Sequence, residues 1–197
     1  MRGFFFIFTL CFIKVNGFVF YSNKINALQN TFHTSQFTFL MKYARLTKEQ
    51  LEELHPEFIN FLATQSIDKA EWDEIKKNRM HVAEQEIDVF SDMIWEKALT
   101  NVSHIDHFSK NYIFLFKCME DVVYSFVVKT NNSEIDFVSA EGINWLADNL
   151  FSDDVEIIKG KKDIAENRNE ALFQIIKQGG IISKGELFIK LESLINQ

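Results

Sequence analysis

The chain has 197 residues, of which 47% are hydrophobic and 25% charged, and its formal net charge is −7. This composition is that of a globular protein with one domain, or with one domain and a small appendage, and it excludes disorder for most of the chain. The excess of acidic residues is a poor match to a nucleic-acid backbone, so we do not expect nucleic-acid binding.

The composition changes at Met41. Residues 1–40 contain no acidic residue, three cations and 10 of the 21 Phe residues, whereas all 28 acidic residues lie from Glu49 onward. Removing three of the 21 cations leaves 18 against 28 acids, which is a net charge of −10 for residues 41–197. We interpret residues 1–40 as a mis-called start or a signal-like leader outside the fold, and residues 41–197 as a single domain.

Three interpretations of residues 1–40 are open. Phe4–Ile13 follows Arg2 and has the length of the apolar core of a secretory signal peptide, but no small-x-small cleavage site comes after it. Phe4–Phe20 is a candidate membrane anchor, although Lys14 interrupts it and it falls short of the ~20 residues that span a bilayer. The interpretation that we favour is upstream DNA translated ahead of Met41, which predicts a cytoplasmic protein without stable membrane association. A genuine signal predicts an exported protein instead.

Three helices are predicted in the N-terminal half. A capping box at Thr47–Gln50 begins the first, which we expect to be kinked at Pro56. Asp68 caps a short helix that ends near Lys77. The third helix, Arg79–Asn101, has apolar residues at steps of three and four with no Pro or Gly among them. We expect the rest of the chain to cover this long helix.

From Val102 the apolar period changes from 3.6 to 2, which predicts strands. The strand predicted over Tyr112–Cys118 is apolar on both faces, so we expect it to be central in a sheet. A tight hairpin turn joins it to a strand over Val122–Lys129. A weaker strand pattern precedes them over Val102–Ser109, and a short strand is predicted over Val155–Ile158.

The C-terminal part is predicted to be mainly helical. Ser139 caps a helix to about Leu150, Asp163 begins a helix that ends at Gly179, and a capping box at Ser183–Glu186 begins the last helix. Helices followed by a cluster of strands are typical of an α+β fold. We expect N-terminal helices packed on a small antiparallel or mixed sheet, with further helices toward the C-terminus.

The long helix carries carboxylates four residues apart, at Glu84, Asp88, Asp92 and Glu96. With His81 one turn before Glu84, this row resembles the ligands of helix-bundle metal sites. The order is the reverse of their Glu-x-x-His motif, however, and it occurs once. We therefore interpret the row as a solvated face of the helix.

A metal or nucleophilic site would have to be built from His104, Asp106, His107 and Cys118. On a strand, His104 and Asp106 share one face and His107 points to the other, which separates the two histidines. Cys118 is the only thiol after Met41, and such a cysteine is ordinarily a buried small apolar residue. An enzyme or metal-binding protein that uses these four residues is the alternative to our preferred function.

Basic residues suggest a candidate site for an anion. Lys159, Lys161 and Lys162 come just before the helix predicted from Asp163, and Arg168 lies one turn into that helix. Backbone N–H groups at the start of a helix attract anions. The competing interpretation of this basic segment is a solvated loop.

Trp95 and Trp145 lie beside the main apolar stripes of their helices. A Trp in that position either widens the core or contacts a partner, because Trp is enriched among the residues that dominate protein interfaces. Both residues are therefore candidates for partner contact, with the core as the more ordinary position.

From Met41 the chain resembles a family of short, acidic bacterial proteins that is classed as a domain of unknown function. The resemblance is carried by Met41-Lys42-Tyr43-x-Arg45-Leu46-Thr47-Lys48-Glu49, Glu57-Phe58-Ile59-x-Phe61-Leu62, Glu71-Trp72 and Phe90-Ser91-Asp92-x-x-Trp95-Glu96-Lys97. It covers about residues 41–195 and implies no activity. We therefore expect a small non-enzymatic cytoplasmic protein that needs no cofactor and acts through protein–protein contacts.

Overall fold

The computed structural model of the chain describes residues 41–164 and 166–196. The interpretations of residues 1–40 as a mis-called start, a signal or an anchor lie outside the described residues. The helices of the described part are α1 (Lys48–Glu53), α2 (His55–Thr64), α3 (Lys69–Asn78), α4 (Met80–Thr100), α5 (Ala140–Asn149), α6 (Arg168–Lys177) and α7 (Glu186–Ile195). Its strands are β1 (His104–Phe108), β2 (Tyr112–Cys118), β3 (Val122–Thr130), β4 (Val155–Asp163) and β5 (Ile181–Ser183). This arrangement confirms the predicted α+β class.

The described residues form two compact units. The first is Thr47–Gln85, and the second joins Met41–Leu46 to Glu86 and the residues that follow. Helix α4 belongs to the first unit up to Gln85 and to the second from there on. The single domain that the sequence predicts over residues 41–197 stays a prediction.

The first unit consists of α1, α2, α3 and the start of α4. Thr47 forms the predicted capping box with Gln50. The predicted kink is instead a break at Leu54, after which Pro56 lies in the first turn of α2, where a missing N–H costs no hydrogen bond. The buried apolar residues of this unit are Leu54, Phe61, Leu62, Ile75 and Ala83.

The second unit is organised on a five-stranded antiparallel sheet in the order β4-β3-β2-β1-β5. The central position of β2 and the hairpin to β3 are as predicted. β4 continues to Asp163, five residues beyond the predicted end at Ile158. Ile181–Ser183 pairs with β1 as the edge strand β5.

Helices cover both faces of this sheet. One face, which we call the α6 face, carries the buried core Leu99, Val102, Ile105, Cys118, Val123, Ile164, Leu172 and Phe173. The other, which we call the α7 face, carries the buried core Ile113, Leu115, Phe126, Val128, Phe137, Phe188 and Leu191. Strands β1, β2 and β3 contribute to both cores because successive side chains point to opposite faces.

Two predicted helix starts are wrong. α6 begins at Arg168 rather than Asp163, because pairing of β4 with β3 extends as far as Asp163. The capping box predicted at Ser183–Glu186 does not form, because Ser183 belongs to β5 and the residue that caps α7 is Gly185, with φ of +74° and no side-chain cap. The last helix buries Phe188 and Leu191.

Candidate functional site

The four residues of the metal or enzyme alternative do not converge. His104 and Asp106 lie on the α7 face of β1 and His107 on the α6 face, as the strand period predicts. Cys118 shares the α6 face, but His107 pairs with Phe114, roughly 13 Å from Cys118 at ~3.3 Å per residue. Within the described residues, no group of three or more His, Cys, Asp or Glu side chains could hold a metal ion.

His104 and Asp106 form a buried polar pair. They are 9% and 8% exposed, and neither His104 Nε2 nor Asp106 Oδ1 has a hydrogen-bond partner among the described residues. Burial lowers the pKa of His104, while the nearby Asp106 opposes this effect and Lys117 adds to it. Burial likewise raises the pKa of Asp106, and a hydrogen bond to Ser183 partly offsets the rise. The site therefore favours the neutral form of both side chains.

Hydroxyl and thiol groups near this pair bear on the alternative of a nucleophilic site. The Ser183 hydroxyl interacts with Asp106 and accepts a hydrogen bond from the Gly185 N–H. A second serine, Ser103, has its Oγ 3.2 Å from His104 Nδ1. A nucleophilic serine needs a base within hydrogen-bond reach and a third group that orients the base. Ser103 has the first in His104, but His104 Nε2 has no hydrogen-bond partner among the described residues, so Asp106 does not orient the ring. On the other side of the sheet, burial raises the pKa of the Cys118 thiol to about 11. Cys118 is thus a protonated core residue at neutral pH.

The acidic row of α4 is bound to protein rather than solvated, so that prediction is wrong for three of its four carboxylates. The segment Met41–Leu46 runs alongside α4, and Asp92 accepts from the backbone N–H groups of Lys42 at 2.7 Å and of Tyr43 at 2.9 Å. Asp88 binds the Arg45 guanidinium, with Nη2 and Oδ2 2.9 Å apart. We call this segment, with Asp88, Ser91, Asp92, Trp95 and Glu96, the clasp.

Uncharged residues also hold the clasp together. Ser91 is fully buried, and its hydroxyl accepts from the Leu46 N–H at 3.1 Å and donates to the Ile87 carbonyl at 2.7 Å. The indole N–H of Trp95 donates to the Ala44 carbonyl at 2.9 Å. Every residue from Lys42 to Leu46 thereby makes a polar contact with α4.

Glu96 is the most connected carboxylate of the clasp. It accepts from the Tyr43 hydroxyl, from the Lys42 ammonium at 2.9 Å and from the Asn169 amide of α6 at 2.7 Å. Burial opposes its ionisation, but these hydrogen bonds outweigh burial and hold the pKa of Glu96 below its ordinary value. Burial, followed by the bond to Glu96, raises the pKa of Tyr43 to about 12. The pKa of Lys42 is also raised, because its bonds to Glu96 and Tyr43 outweigh burial.

The clasp includes residues from two of the segments that carry the resemblance seen in the sequence. Two of the segments that carry it, residues 41–46 and residues 90–97, are in direct contact through Ser91, Asp92, Trp95 and Glu96. Since these side chains are engaged with the chain's own backbone and charges, we assign the clasp a structural role.

The two Trp candidates pack against the cores of the second unit. Trp95 meets Phe173 edge-on with ring centroids 5.0 Å apart, on the α6 face. Trp145 packs against the core of the α7 face. Both are half-buried, and the indole N–H of Trp95 is already used by Ala44. Contact of either Trp with a partner stays a prediction, without support from this geometry.

Arg168 does not lie with the three lysines as a ready anion site. At the start of α6, its guanidinium donates to the carbonyls of Met119 at 2.8 Å, Leu99 at 2.8 Å and Val102 at 2.6 Å. It also reaches the Cys118 carbonyl at 3.4 Å. Arg168 thus satisfies the carbonyls that end α4 and β2, and the helix start predicted beside the lysines is absent.

Lys159, Lys161 and Lys162 lie instead on β4, at one edge of the sheet. Lys159 and Lys161 point to the α7 face and Lys162 to the α6 face. The sequence prediction missed this part of the strand because Gly and Lys are poor strand formers. The signal that could have found it is the absence of any helix period or Pro between Ile157 and Asp163, since edge strands tolerate lysines.

The hydrogen bonds at the ends of β4 fix which of its backbone groups face outward. Ile164 N–H donates to Asp121 carbonyl at 2.8 Å, and Asn131 N–H donates to Asp154 carbonyl at 3.2 Å, both in register with the β3–β4 ladder. Hydrogen-bonded positions alternate along an antiparallel pair, so the even-numbered residues of β4 bond to β3. The outward N–H and C=O groups are those of Ile157, Lys159, Lys161 and Asp163. No other described residue bonds to these groups.

The outward edge is locally basic. Residues 157–162 contain three lysines and no acid, within a region of net charge −10. Lys161 lies 3.7 Å from Asp163, whereas Lys159 and Lys162 make no ion pair with a described residue. Ile158, between them on the strand, is 47% exposed. The outward edge of β4 therefore combines backbone groups without a hydrogen-bond partner, positively charged lysines and the exposed apolar side chain of Ile158.

Two open hollows in the second unit give no comparable indication of a ligand. One of about 450 Å³ is lined by residues 109–112 and 129–131, where β2 begins and β3 ends. The other, of about 590 Å³, lies beside the clasp and includes Lys42, Arg168, Glu96 and Glu166. Its two cations are already bound to oxygen atoms of the protein.

Comparisons with known proteins show which family the chain belongs to. No described helix is long and apolar enough to cross a membrane. Neither the curated proteins nor the solved structures include a match to this sequence. The model of a family of unknown function, DUF6495, matches residues 41–196, which is most of the chain and includes the clasp and β4. The protein therefore belongs to the DUF6495 family of unknown function.

Proposed function

We propose that this protein acts through protein–protein contact, and that the contact surface is the outward edge of β4, which accepts an extended segment as a sixth strand. The observation that carries the proposal is the row of outward backbone groups at Ile157, Lys159, Lys161 and Asp163. Unpaired groups at a sheet edge are a template for a further strand, and main-chain hydrogen bonds supply much of the affinity in that mode of recognition.

The length of β4 distinguishes it from the opposite edge. β4 has nine residues, which is enough for several ladder bonds to a partner. β5 has three, of which only Ile182 faces outward, because Ile181 and Ser183 pair with Asp106 and His104 at the positions that bond to β1. A short edge strand is a common protection against unwanted pairing.

The experiment is a capture of proteins from the source cells on the tagged full chain and on its Lys161→Pro variant. Proline at this position removes one outward N–H and leaves the bonds to β3 in place. We expect specific proteins to be captured by the wild type and lost from Lys161→Pro. Ile189→Glu, which changes an exposed residue of α7, is the matched control and should retain them.

Two measurements make this result interpretable. Circular dichroism and the urea midpoint of Lys161→Pro must match those of the wild type, so that loss of capture is not loss of fold. An unchanged set of captured proteins on a folded Lys161→Pro variant would contradict the proposal.

We also propose the cytoplasm as the location, with export as the alternative if residues 1–40 act as a signal. The break in composition at Met41, after which all 28 acidic residues lie, motivates this proposal. Mass spectrometry of the N-terminal peptide from the source cells tests it. A mature chain that begins near residues 22–30 would show that a signal had been cleaved.

A further inference from the structure

We infer that the segment bound at the β4 edge is an extended acidic peptide, with carboxylates at every second position opposite Lys159 and Lys161. This inference rests on the proposed function, since it names the partner of the same edge. Lys159 and Lys161 both point to the α7 face. Residues of an added strand that oppose them would point to that face too and would be two apart in sequence.

Charge complementarity supports an acidic occupant. The edge carries three lysines over residues 157–162, of which Lys161 is paired with Asp163 and Lys159 and Lys162 have no ion pair with a described residue, while the rest of the region beyond Met41 is strongly acidic. Opposite charges directly across two strands stabilise their pairing, and like charges destabilise it. On the α6 face the added strand would lie beside exposed Ile158, where an apolar side chain fits better than a charged one, and Lys162 lies further along the same face.

A second copy of this chain is a poorer occupant of the edge. Two β4 strands related by a two-fold axis would pair antiparallel about their middle. If they pair about Gly160, Lys159 of each strand opposes Lys161 of the other, and if they pair about Lys159, the two Lys159 side chains oppose each other. Both arrangements place like charges across the new ladder. Residues 1–40 are a poor match as well, because they contain no acidic residue.

The test measures binding of labelled nine-residue peptides to the purified full chain by fluorescence anisotropy. The probe peptide alternates Glu with Val, and two comparison peptides replace Glu by Gln or by Lys. We expect the Glu peptide to bind at least tenfold more tightly than the Gln peptide, and the Lys peptide to bind least. Amide signals of Ile157, Lys159, Lys161 and Asp163 should be the ones protected from exchange by the Glu peptide.

Charge reversal on the protein provides the sharpest comparison. In the Lys159→Glu/Lys161→Glu variant the Glu peptide should bind at least tenfold more weakly than to the wild type, and the Lys peptide should become the tighter ligand. Reversal of an exposed lysine outside the edge, Lys184→Glu, is the control and should leave the order of the three peptides unchanged.

Several outcomes would overturn the inference. Equal binding of the Glu and Gln peptides, both lost in Lys161→Pro, would exclude the acidic partner and leave the proposed function standing. A wild-type dimer that dissociates in Lys161→Pro, seen by sedimentation, would identify a second copy as the occupant. Displacement of the Glu peptide by an equal concentration of single-stranded DNA would point to nucleic acid. Peptide binding and protein capture that are both indifferent to Lys161→Pro would overturn inference and function together.

Discussion

A carboxyl group buried on a sheet face is costly when ionised, and Asp106 has one oxygen with no partner among the described residues. Its neighbours do not supply a full counter-charge, because burial also disfavours protonation of His104. His104 and Asp106 therefore lower the stability of the second unit. The sequence analysis named both residues as candidates for chemistry, and the structure places them side by side as buried polar groups on one face of β1.

The first prediction concerns Asp106→Asn, which removes the charge and keeps the shape. Since the pKa of Asp106 is raised, the folded protein takes up the proton before the unfolded chain does as the pH falls, and stability rises until the pH is below the ordinary value of 3.8. We expect Asp106→Asn to melt at a higher temperature than the wild type at pH 7, and the difference to shrink on acidification.

Thermal melts of both proteins between pH 4 and pH 8 measure this difference. His104 is common to both, so its own effect, a loss of stability as the pH falls below its ordinary value of 6.5, largely cancels. A variant less stable than the wild type at pH 7 would mean that the carboxylate is stabilised by a partner that this geometry does not contain.

The second prediction concerns Arg168, whose guanidinium joins three backbone carbonyls within 2.8 Å. Arg168→Met should lower the free energy of unfolding by about 2–4 kcal/mol, because the carbonyls of Leu99 and Val102, at partly buried sites, lose charged donors. Arg168→Lys should recover less than half, since an ammonium cannot reproduce the planar fork. Urea denaturation measures both variants, and a loss below about 0.5 kcal/mol for Arg168→Met would show that water replaces the guanidinium.

At the scale of the element, the start of α7 is defined by a close approach between Gly185 and β1. A Cβ on Gly185 would lie 2.3 Å from His104 Cγ, and the backbone there has φ of +74°. Only glycine combines this conformation with this contact at low cost. The predicted capping box failed for the same reason, because the chain turns at Gly185 after Ser183 has been drawn into β5.

The third prediction follows from that contact. Gly185→Ala should lower the free energy of unfolding by about 2–5 kcal/mol, from overpacking together with a left-handed alanine. In a His104→Ala background the overlap disappears, so the cost of Gly185→Ala should fall to about 1–2 kcal/mol. Urea denaturation of the four proteins gives this double-mutant cycle. Equal costs in both backgrounds would contradict the role of His104.

The fourth prediction tests the clasp. Asp92→Ala should lower the free energy of unfolding by about 2–4 kcal/mol, because the N–H groups of Lys42 and Tyr43 lose a charged acceptor. Glu84→Ala is the matched control, since it removes a carboxylate of the same row outside the clasp, and should change stability by less than about 0.5 kcal/mol. Equal effects of the two substitutions in urea denaturation would restore the interpretation of this row as a solvated face.

The elements that could be predicted are those whose structure depends on residues close together in the sequence. The two apolar faces of Tyr112–Cys118 require cover on both sides, and the caps at Thr47, Asp68 and Ser139 act on neighbours three residues away. The clasp is different, because Asp92 and Tyr43 are 49 residues apart and residues 41–46 have no period. A row of carboxylates looks the same in sequence whether water or a distant backbone binds it.

The second half of the edge strand β4 was not predicted for a related reason. Lys159, Gly160 and Lys161 have little preference for a strand, and their extended form is imposed by pairing with β3. The sequence analysis grouped these lysines as a candidate site for an anion. Their relative positions depend on β4, and the local sequence pattern does not predict that strand. The sequence could therefore predict which lysines belong to the candidate site, but not how they are arranged in space.

At the scale of the whole molecule, Met41–Leu46 belongs to the second unit although Thr47–Gln85 separates it from the rest in sequence. The fifth prediction compares chains that begin at Met41 and at Thr47. The first should match the full chain in free energy of unfolding within about 0.5 kcal/mol. The second should lose on the order of 3–6 kcal/mol, because it lacks the eight hydrogen bonds that join residues 42–46 to α4. Equal stability of the two shortened chains in urea would show that the clasp adds nothing.

The order of the strands has a consequence for how the protein reaches its native state. Strands β1, β2 and β3 are neighbours in sequence and in space, but β5 must pair with β1 across 77 residues, from Ile105 to Ile182. A growing chain has completed β1 to β4 before Ile181 is made, and Phe188 can join its core only afterwards. Pairings distant in sequence form slowly. We therefore expect a late phase in refolding in which β5 and α7 dock together, with the aromatic core of the α7 face exposed to aggregation until then.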